Sequence, residues 1–215
     1  MELKKKNMEI KILKPFGPSV VKINIPQGIM DQINLFVDEM INNKDKLEKS
    51  NEGPNLAGNV YQEFLMNTDF MKKIKWGEFI ASACNQWTWS EKSLQLKDFK
   101  IIKSWVVRQF KNEYNPIHIH SGHISGVGYL KVPKTMGETF QKDKKLNENG
   151  KLILIDGSKK LFCSSTYTIT PKVGDFYLFP SYLMHTVYPF SNTDEERRSI
   201  SFNANIDEDI YNVYS

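Results

Sequence analysis

The chain is short of the residues that most often lock or anchor a protein. Of its 215 residues only two, Cys84 and Cys163, are cysteine. They form no CxxC pair and neighbour no histidine, which argues against a disulfide framework and for a reducing compartment. No apolar run approaches the ~20 residues that cross a bilayer as a helix. The opening "MELKKKNMEIKILKPFG" is charged and lacks the apolar middle of a secretory leader. These features predict a cytoplasmic protein with no membrane partner. Charge of one sign is also scarce: 29 basic against 25 acidic residues leave a formal net charge of +4, too little to name a polyanionic partner. The basic clusters at Lys4, Lys5 and Lys6 and in "QKDKKLNENGK" read as solvated surface, so no nucleic-acid partner is expected.

What is present suits one well-buried core. Apolar residues make up 40% and charged residues 25%, an ordinary balance for a soluble globular protein. The first half is mixed and helix-rich. "MEIKILKPFGPSVVKINI" reads as one or two short strands broken at Pro15 and Gly17. Ile29, Ile33, Phe36, Val37 and Met40 recur at helical spacing and predict an amphipathic helix from about Gln27 to Lys49. Residues 51–59 read as a loop. "TDFMKKIKWGEFIASACNQWTW" reads as a second helix, with Thr68 or Asp69 as N-cap and Phe70, Ile74, Phe79 and Ile80 on its apolar face.

From about Lys100 the pattern becomes that of strands. "FKIIKSWVVRQF", "ISGVGYLKVP", "GKLILIDG", "STYTITP", "GDFYLFP", "HTVYPF" and "RSISFNANI" are separated by Gly, Pro, Asn or Asp. About eight antiparallel strands after a helical region predict a mainly β, α+β fold: a jelly roll with helices covering one face.

Histidine is scarce too, but it is concentrated. Three of the four histidines fall in "NPIHIHSGH", and the fourth is His185 in "FPSYLMHTVYPF". His118 and His120, two apart, point to one face of a strand and can offer two nitrogen ligands, with Ile117 and Ile119 on the opposite, packed face. His185, at the start of a later strand, completes a candidate three-nitrogen site. His123 lies off that face by parity, past the Gly122 turn, and is expected beside the ligands or the substrate. Trp105 and Asn115 precede the histidines and are both candidates for lining the pocket, though Trp105 reads first as a core residue.

"EERRSISFNANI" alternates strictly. Ile200 and Phe202 share the face expected to pack against the helices. Arg197, Ser199, Ser201 and Asn203 share the other, which looks into the sandwich. A buried guanidinium needs an anionic partner, and its planar fork matches a carboxylate. That partner is either an internal Asp or Glu or a ligand carboxylate. Arg198, the rival anchor, falls with Ile200 and is expected to face outward to solvent.

These motifs in order, "HIHSG…SGVGYLKVP", "PKVGDFYLFPSYLMHTVYPF" and "RRSISFN", resemble the 2-oxoglutarate/Fe(II)-dependent oxygenases common in bacterial viruses and marine bacteria, relatives of the prolyl-4-hydroxylase-like branch. The resemblance runs from about Trp105 to Asn205, with a fainter echo in "NLAGNVYQEF". It implies a double-stranded β-helix: a single oxygenase domain over residues 1–215, with 1–99 as helix-rich support and 100–207 as core. It implies Fe(II) on His118, His120 and His185, and 2-oxoglutarate held at its distal carboxylate by Arg197, Ser199 and Tyr129. It further implies dioxygen as co-substrate, release of succinate and carbon dioxide, and hydroxylation of an unidentified substrate, with a protein or peptide side chain favoured. A setting in a phage-infected host would fit. One departure stands out: the wider superfamily has Asp or Glu where this chain has His120, which implies either a three-histidine iron site or a third ligand from another residue, with His123 as the candidate. Two other readings stay open at this stage. One is a cupin-type metalloprotein that does not use 2-oxoglutarate; the other is a non-catalytic jelly-roll binding module. The lysine-rich segment Lys134–Gly150 reads either as a lid or as an inert insertion.

Overall fold

The computed structural model describes residues 9–13, 17–43, 47, 51–53, 57–139, 141 and 143–212. Lys4, Lys5, Lys6 and Pro15 lie outside these. Two antiparallel sheets face one another. The larger takes its strands in the order β1 (Lys11–Leu13), β2 (Val20–Asn24), β9 (Asp175–Pro180), β6 (Ile124–Lys131), β11 (Arg197–Ile206), β4 (Phe99–Gln109) and β3 (Gln62–Leu65). The smaller runs β5 (Asn115–His118), β10 (Met184–Val187), β7 (Leu152–Ile155) and β8 (Thr166–Ile169). The expected jelly roll is therefore present, and β1, β2 and β3 from the N-terminal region extend its major sheet.

Helices α1 (Gln27–Ile41) and α3 (Trp76–Lys92) cover the outer face of the large sheet. Met30, Ile33 and Val37 of α1 and Trp76, Phe79, Ile80 and Cys84 of α3 pack with Phe176, Leu178, Ile200 and Phe202. Gly126 and Gly128 of β6 make this contact possible. A Cβ at Gly128 would lie 2.2 Å from Phe176 Cδ2 and 2.7 Å from Ile25 Cδ1, so the aromatic layer rests directly on backbone. A second apolar cluster fills part of the space between the sheets, with Leu152, Leu154, Ile169, Phe179 and Val187 around Tyr129.

Several boundaries differ from expectation. α1 ends at Ile41; Leu47 is helical and packs on the core, whereas Lys49 is outside the described residues. The second helix is two. α2 (Thr68–Lys73) and α3 are separated by Lys75, whose φ is 59°. This left-handed residue turns the chain so that Trp76 enters the core fully buried. The N-cap is Asn67, whose side chain accepts from the Phe70 N–H at 2.8 Å, not Thr68 or Asp69. Strand β5 stops at His118 and forms the edge of the small sheet. Ile117 and Ile119, expected to be packed, are 61% and 57% exposed, because no described residue covers the outer face of that edge.

Candidate metal centre and anion pocket

Strand pairing brings the histidines together. His118 on β5 lies directly opposite His185 on β10, so the two side chains share the inward face. His120 is beyond the end of β5, and its backbone is held instead by a hydrogen bond from its N–H to the Ser181 carbonyl at 3.0 Å. Ser181 also donates its N–H to His123 O and its hydroxyl to Gly122 O. This clamp, together with Gly122 at φ 91°, fixes the turn that sets His120 beside the other two. One ligand atom from each of the three lies within 4.8 Å of those of the others. Nε2 of His120 and His185 are 3.1 Å apart.

The ring nitrogens are pre-sorted. Nδ1–H of His118 donates to Pro116 O at 2.7 Å, and Nδ1–H of His185 to Leu183 O at 2.8 Å. Each bond fixes the tautomer that leaves Nε2 with its lone pair. Burial pushes His120 down to about 3 and His185 down to about 4, helped at each by a neighbouring histidine; it also holds His118 below its usual value. All three are neutral at neutral pH, the state that binds a metal.

His123 takes no part in this cluster. Its ring stacks on Tyr211 at 4.0 Å, Nδ1 accepts from the Ile206 N–H at 3.1 Å, and Nε2 lies 3.3 Å from Glu208 Oε1. The expectation that it sits beside the ligands or the substrate is not met, because the Gly122 turn carries it to the C-terminal helix α4 (Glu208–Tyr211).

Deeper between the sheets, Arg197 is 2% exposed. Its Nη1 donates to Gln109 Oε1 at 3.1 Å, while Nε and Nη2 have no hydrogen-bond partner. The guanidinium rests 5.0 Å from the ring centre of Tyr129, whose buried hydroxyl is also unpartnered. Ser199 is the register partner of Tyr129. Arg197, Ser199 and the three histidines line one cavity. Burial pulls the Arg197 guanidinium below its ordinary value. No Asp or Glu is bonded to it among the described residues. Two guanidinium nitrogens without a partner among the described residues, in a pocket lined by Arg197, fit a carboxylate that the chain does not itself supply.

Arg198 corrects the expectation drawn from parity. It does point away from the sandwich, but it meets helix α1 instead of solvent and is 1% exposed. It donates to Asp38 Oδ1 at 2.6 Å, to Asn34 O at 3.1 Å and Oδ1 at 3.0 Å, and to Glu196. With its donors engaged it cannot serve as the anchor.

Residues 103–203 match a family model described as "Putative 2OG-Fe(II) oxygenase". The match covers just under half of the chain. It spans β4 to β11 up to Asn203, and so holds all the histidines, Tyr129, Arg197 and Ser199. No curated protein sequence matches the chain. Solved structures share the fold. The viral collagen prolyl hydroxylase of Paramecium bursaria Chlorella virus-1, in a 2-oxoglutarate complex, is 14% identical with a TM-score of 0.51, over 86% of this chain and 94% of that one. The Trichoplax adhaerens prolyl hydroxylase, in complex with a hypoxia inducible factor peptide fragment, is 15% identical at 0.50, over 91% and 87%. HygX of Streptomyces hygroscopicus, with nickel and 2-oxoglutarate bound, is 9% identical at 0.50, over 86% and 81%.

Around the histidines the fold opens into a second cavity of about 190 Å³, walled by His118, His120, Trp105, Asn115, Lys103 and Glu63. Trp105, expected in the core with the pocket wall as its alternative, is 5% exposed and meets His120 edge-on at 5.5 Å between ring centres. Glu63 was not among the candidates. It is 1% exposed on β3, outside the matched segment, and burial pushes its carboxyl up to about 7, opposed by Lys103. Alternation in "YQEFLM" separates it from the core residues Phe64 and Met66, but nothing in the sequence says that its face is roofed by residues 57–58. The segment Lys134–Gly150 is pinned through Asn149 Nδ2 to Met136 O and through Asn147 Nδ2 to Gly137 O. None of its described residues lines either cavity at the histidines, which favours the insertion over the lid.

Proposed function

We infer that the protein is a 2-oxoglutarate-dependent Fe(II) dioxygenase, a hydroxylase that releases succinate and carbon dioxide, and that its substrate is a protein or peptide side chain. The observation that carries the cosubstrate is Arg197: a buried guanidinium with two free donor nitrogens, in the pocket that the histidines close. A cupin-type metal site has no need of that charge, and a binding module has no need of three histidines with fixed tautomers.

On this reading His118, His120 and His185 would hold Fe(II) through Nε2, and Arg197, Ser199 and Tyr129 would hold the distal carboxylate of 2-oxoglutarate. Bound together with dioxygen, these cofactors supply the oxidising power that hydroxylates a C–H bond. The chain's part is placement and shielding. Backbone carbonyls of Pro116 and Leu183 keep two imidazoles aimed, Phe179, Val187 and Leu152 keep water from the anion pocket, and the cavity beside His118 admits substrate. Among the described residues no Asp or Glu joins the three histidines in the metal cluster, so 2-oxoglutarate would supply the anion for both the metal and Arg197. A cytoplasmic setting fits the free thiols of Cys84 and Cys163.

The test is anaerobic titration of Fe(II) and 2-oxoglutarate, with visible absorption as readout. A charge-transfer band should appear with both present, and succinate should form once air is admitted. His185→Ala should remove metal binding. Arg197→Ala should keep the metal and weaken 2-oxoglutarate about a hundredfold, the equivalent of roughly 3 kcal/mol for a buried charge pair. Absence of any 2-oxoglutarate binding to the Fe(II)-loaded protein would sink the assignment.

A further inference from the structure

The cavity beside the histidines has two buried polar atoms with no partner. Glu63 Oε2 is an orphan acceptor on β3, and Asn203 Nδ2 an orphan donor on β11. Both residues line this cavity and are almost completely buried, at 1% and 0% exposed. Strand β4 lies between them and supplies Lys103, the register partner of Asn203, and Trp105. The order of the sheet therefore sets a donor end, Asn203 with Lys103, about two strand spacings (~10 Å) from an acceptor end at Glu63, with an aromatic floor between them.

Further acceptors gather at the Glu63 end. A Cβ on Gly58 would sit 2.9 Å from Asn115 Oδ1 and 3.1 Å from Glu63 Oε1, so both oxygens crowd the same spot under the roof. The chain's own cation does not neutralise them. Lys103 Nζ lies over the Trp105 ring at 4.9 Å, and no ion pair to Glu63 forms among the described residues. A desolvated carboxylate left without a cation is costly, and natural sites keep one where a ligand supplies the charge.

We propose that this cavity is the substrate subsite, and that it takes an amine: a cationic amino group docks on Glu63 and Asn115 Oδ1, while an acceptor oxygen on the same molecule bonds Asn203 Nδ2 and Lys103. The inference rests on the oxygenase reading for its name as a substrate site, but the binding itself does not require cofactor. A free amino acid, a basic residue in a peptide and a diamine share the amine chemistry; the first two also bring the oxygen.

Ligand-observed NMR titrations of the full chain, with and without Fe(II) and 2-oxoglutarate, distinguish these sources. The probes are L-lysine, N-acetyl-L-lysine amide and putrescine, with N-acetyl-L-norleucine amide and 1,4-butanediol as uncharged counterparts. At least one amine should bind at least tenfold more tightly than its uncharged counterpart, and Glu63→Gln should remove that difference. Asn203→Ala should weaken the oxygen-bearing probes several-fold and leave putrescine unchanged. Thermal melting of Glu63→Gln checks the fold, and the melting temperature should equal or exceed that of the parent. Binding of no amine probe, equal binding of charged and uncharged probes, or full binding to a folded Glu63→Gln variant would overturn the proposal. Amine binding without the anaerobic 2-oxoglutarate band would instead uphold this site and reject the oxygenase.

Discussion

Arg197 and Arg198 are consecutive on β11 and equally buried, at 2% and 1% exposed, yet the two faces of the sheet treat them differently. On the helix side, Arg198 meets Asp38, Glu196 and Asn34, so that face is complete as it stands. On the inner side, Arg197 has Gln109 and the face of a tyrosine, so that face waits for an anion. Buried polar groups in a finished core are satisfied. The difference therefore separates a surface that builds the fold from one that binds.

The largest effect should come from exchanging the arginines' roles. Arg198→Ala removes four side-chain contacts, although Lys131 still reaches Asp38 and Arg108 still holds Glu196, and should cost about 3 kcal/mol in urea unfolding of the metal-free protein. Arg197→Leu should instead raise stability by about 1 kcal/mol or more, since it removes a charge with no ionic partner. Equal losses for the two would erase the distinction.

Glu63 extends the comparison to pH. Its carboxyl titrates at about 7 in the folded chain against an ordinary 4.5. Between these values the folded state holds a proton that the unfolded state has lost, so stability falls as pH rises through the window and levels off above it. Glu63→Gln should match the parent at pH 4.5 and exceed it at pH 8 by on the order of 3 kcal/mol. Unfolding curves at the two pH values check this.

On the helix side, Gly128→Ala drives a methyl into Phe176 and should cost about 2 kcal/mol in thermal unfolding, as overpacking does. It should leave the affinity of the refolded protein for 2-oxoglutarate within about twofold. Smallest is Asn67→Ala, which removes the α2 cap and should cost about 1 kcal/mol with no change at the histidines. A large loss of metal affinity from either substitution would show that the helix side tunes the site.

How far the sequence foretold this depends on whether a residue's role is set by parity or by a distant partner. Alternation along β11 separated Arg197 from Arg198 correctly, because each strand residue has only two faces to choose from. It could not say what covers each face, and so it sent Arg198 to solvent when α1 lies there. The reverse error befell Ile117 and Ile119, assigned a packed face that an edge strand does not have. His118 and His185 were paired from scarcity and motif order, and the register of β5 on β10 supplies the physical reason. Ser181 and Glu63 escaped notice because their importance comes from contacts across long sequence gaps: Ser181 with the turn at Gly122, Glu63 with a cavity framed by β4 and β5.

Strand β5 is tied to the sheet on one side only, through β10. A metal bridging His118 and His185 would act as a rivet across that single seam. Loss of the metal and fraying of the edge would then be one event, so the dwell time of iron on this protein should track the breathing of β5. Amide exchange at Asn115, Ile117 and His118 would serve as its clock.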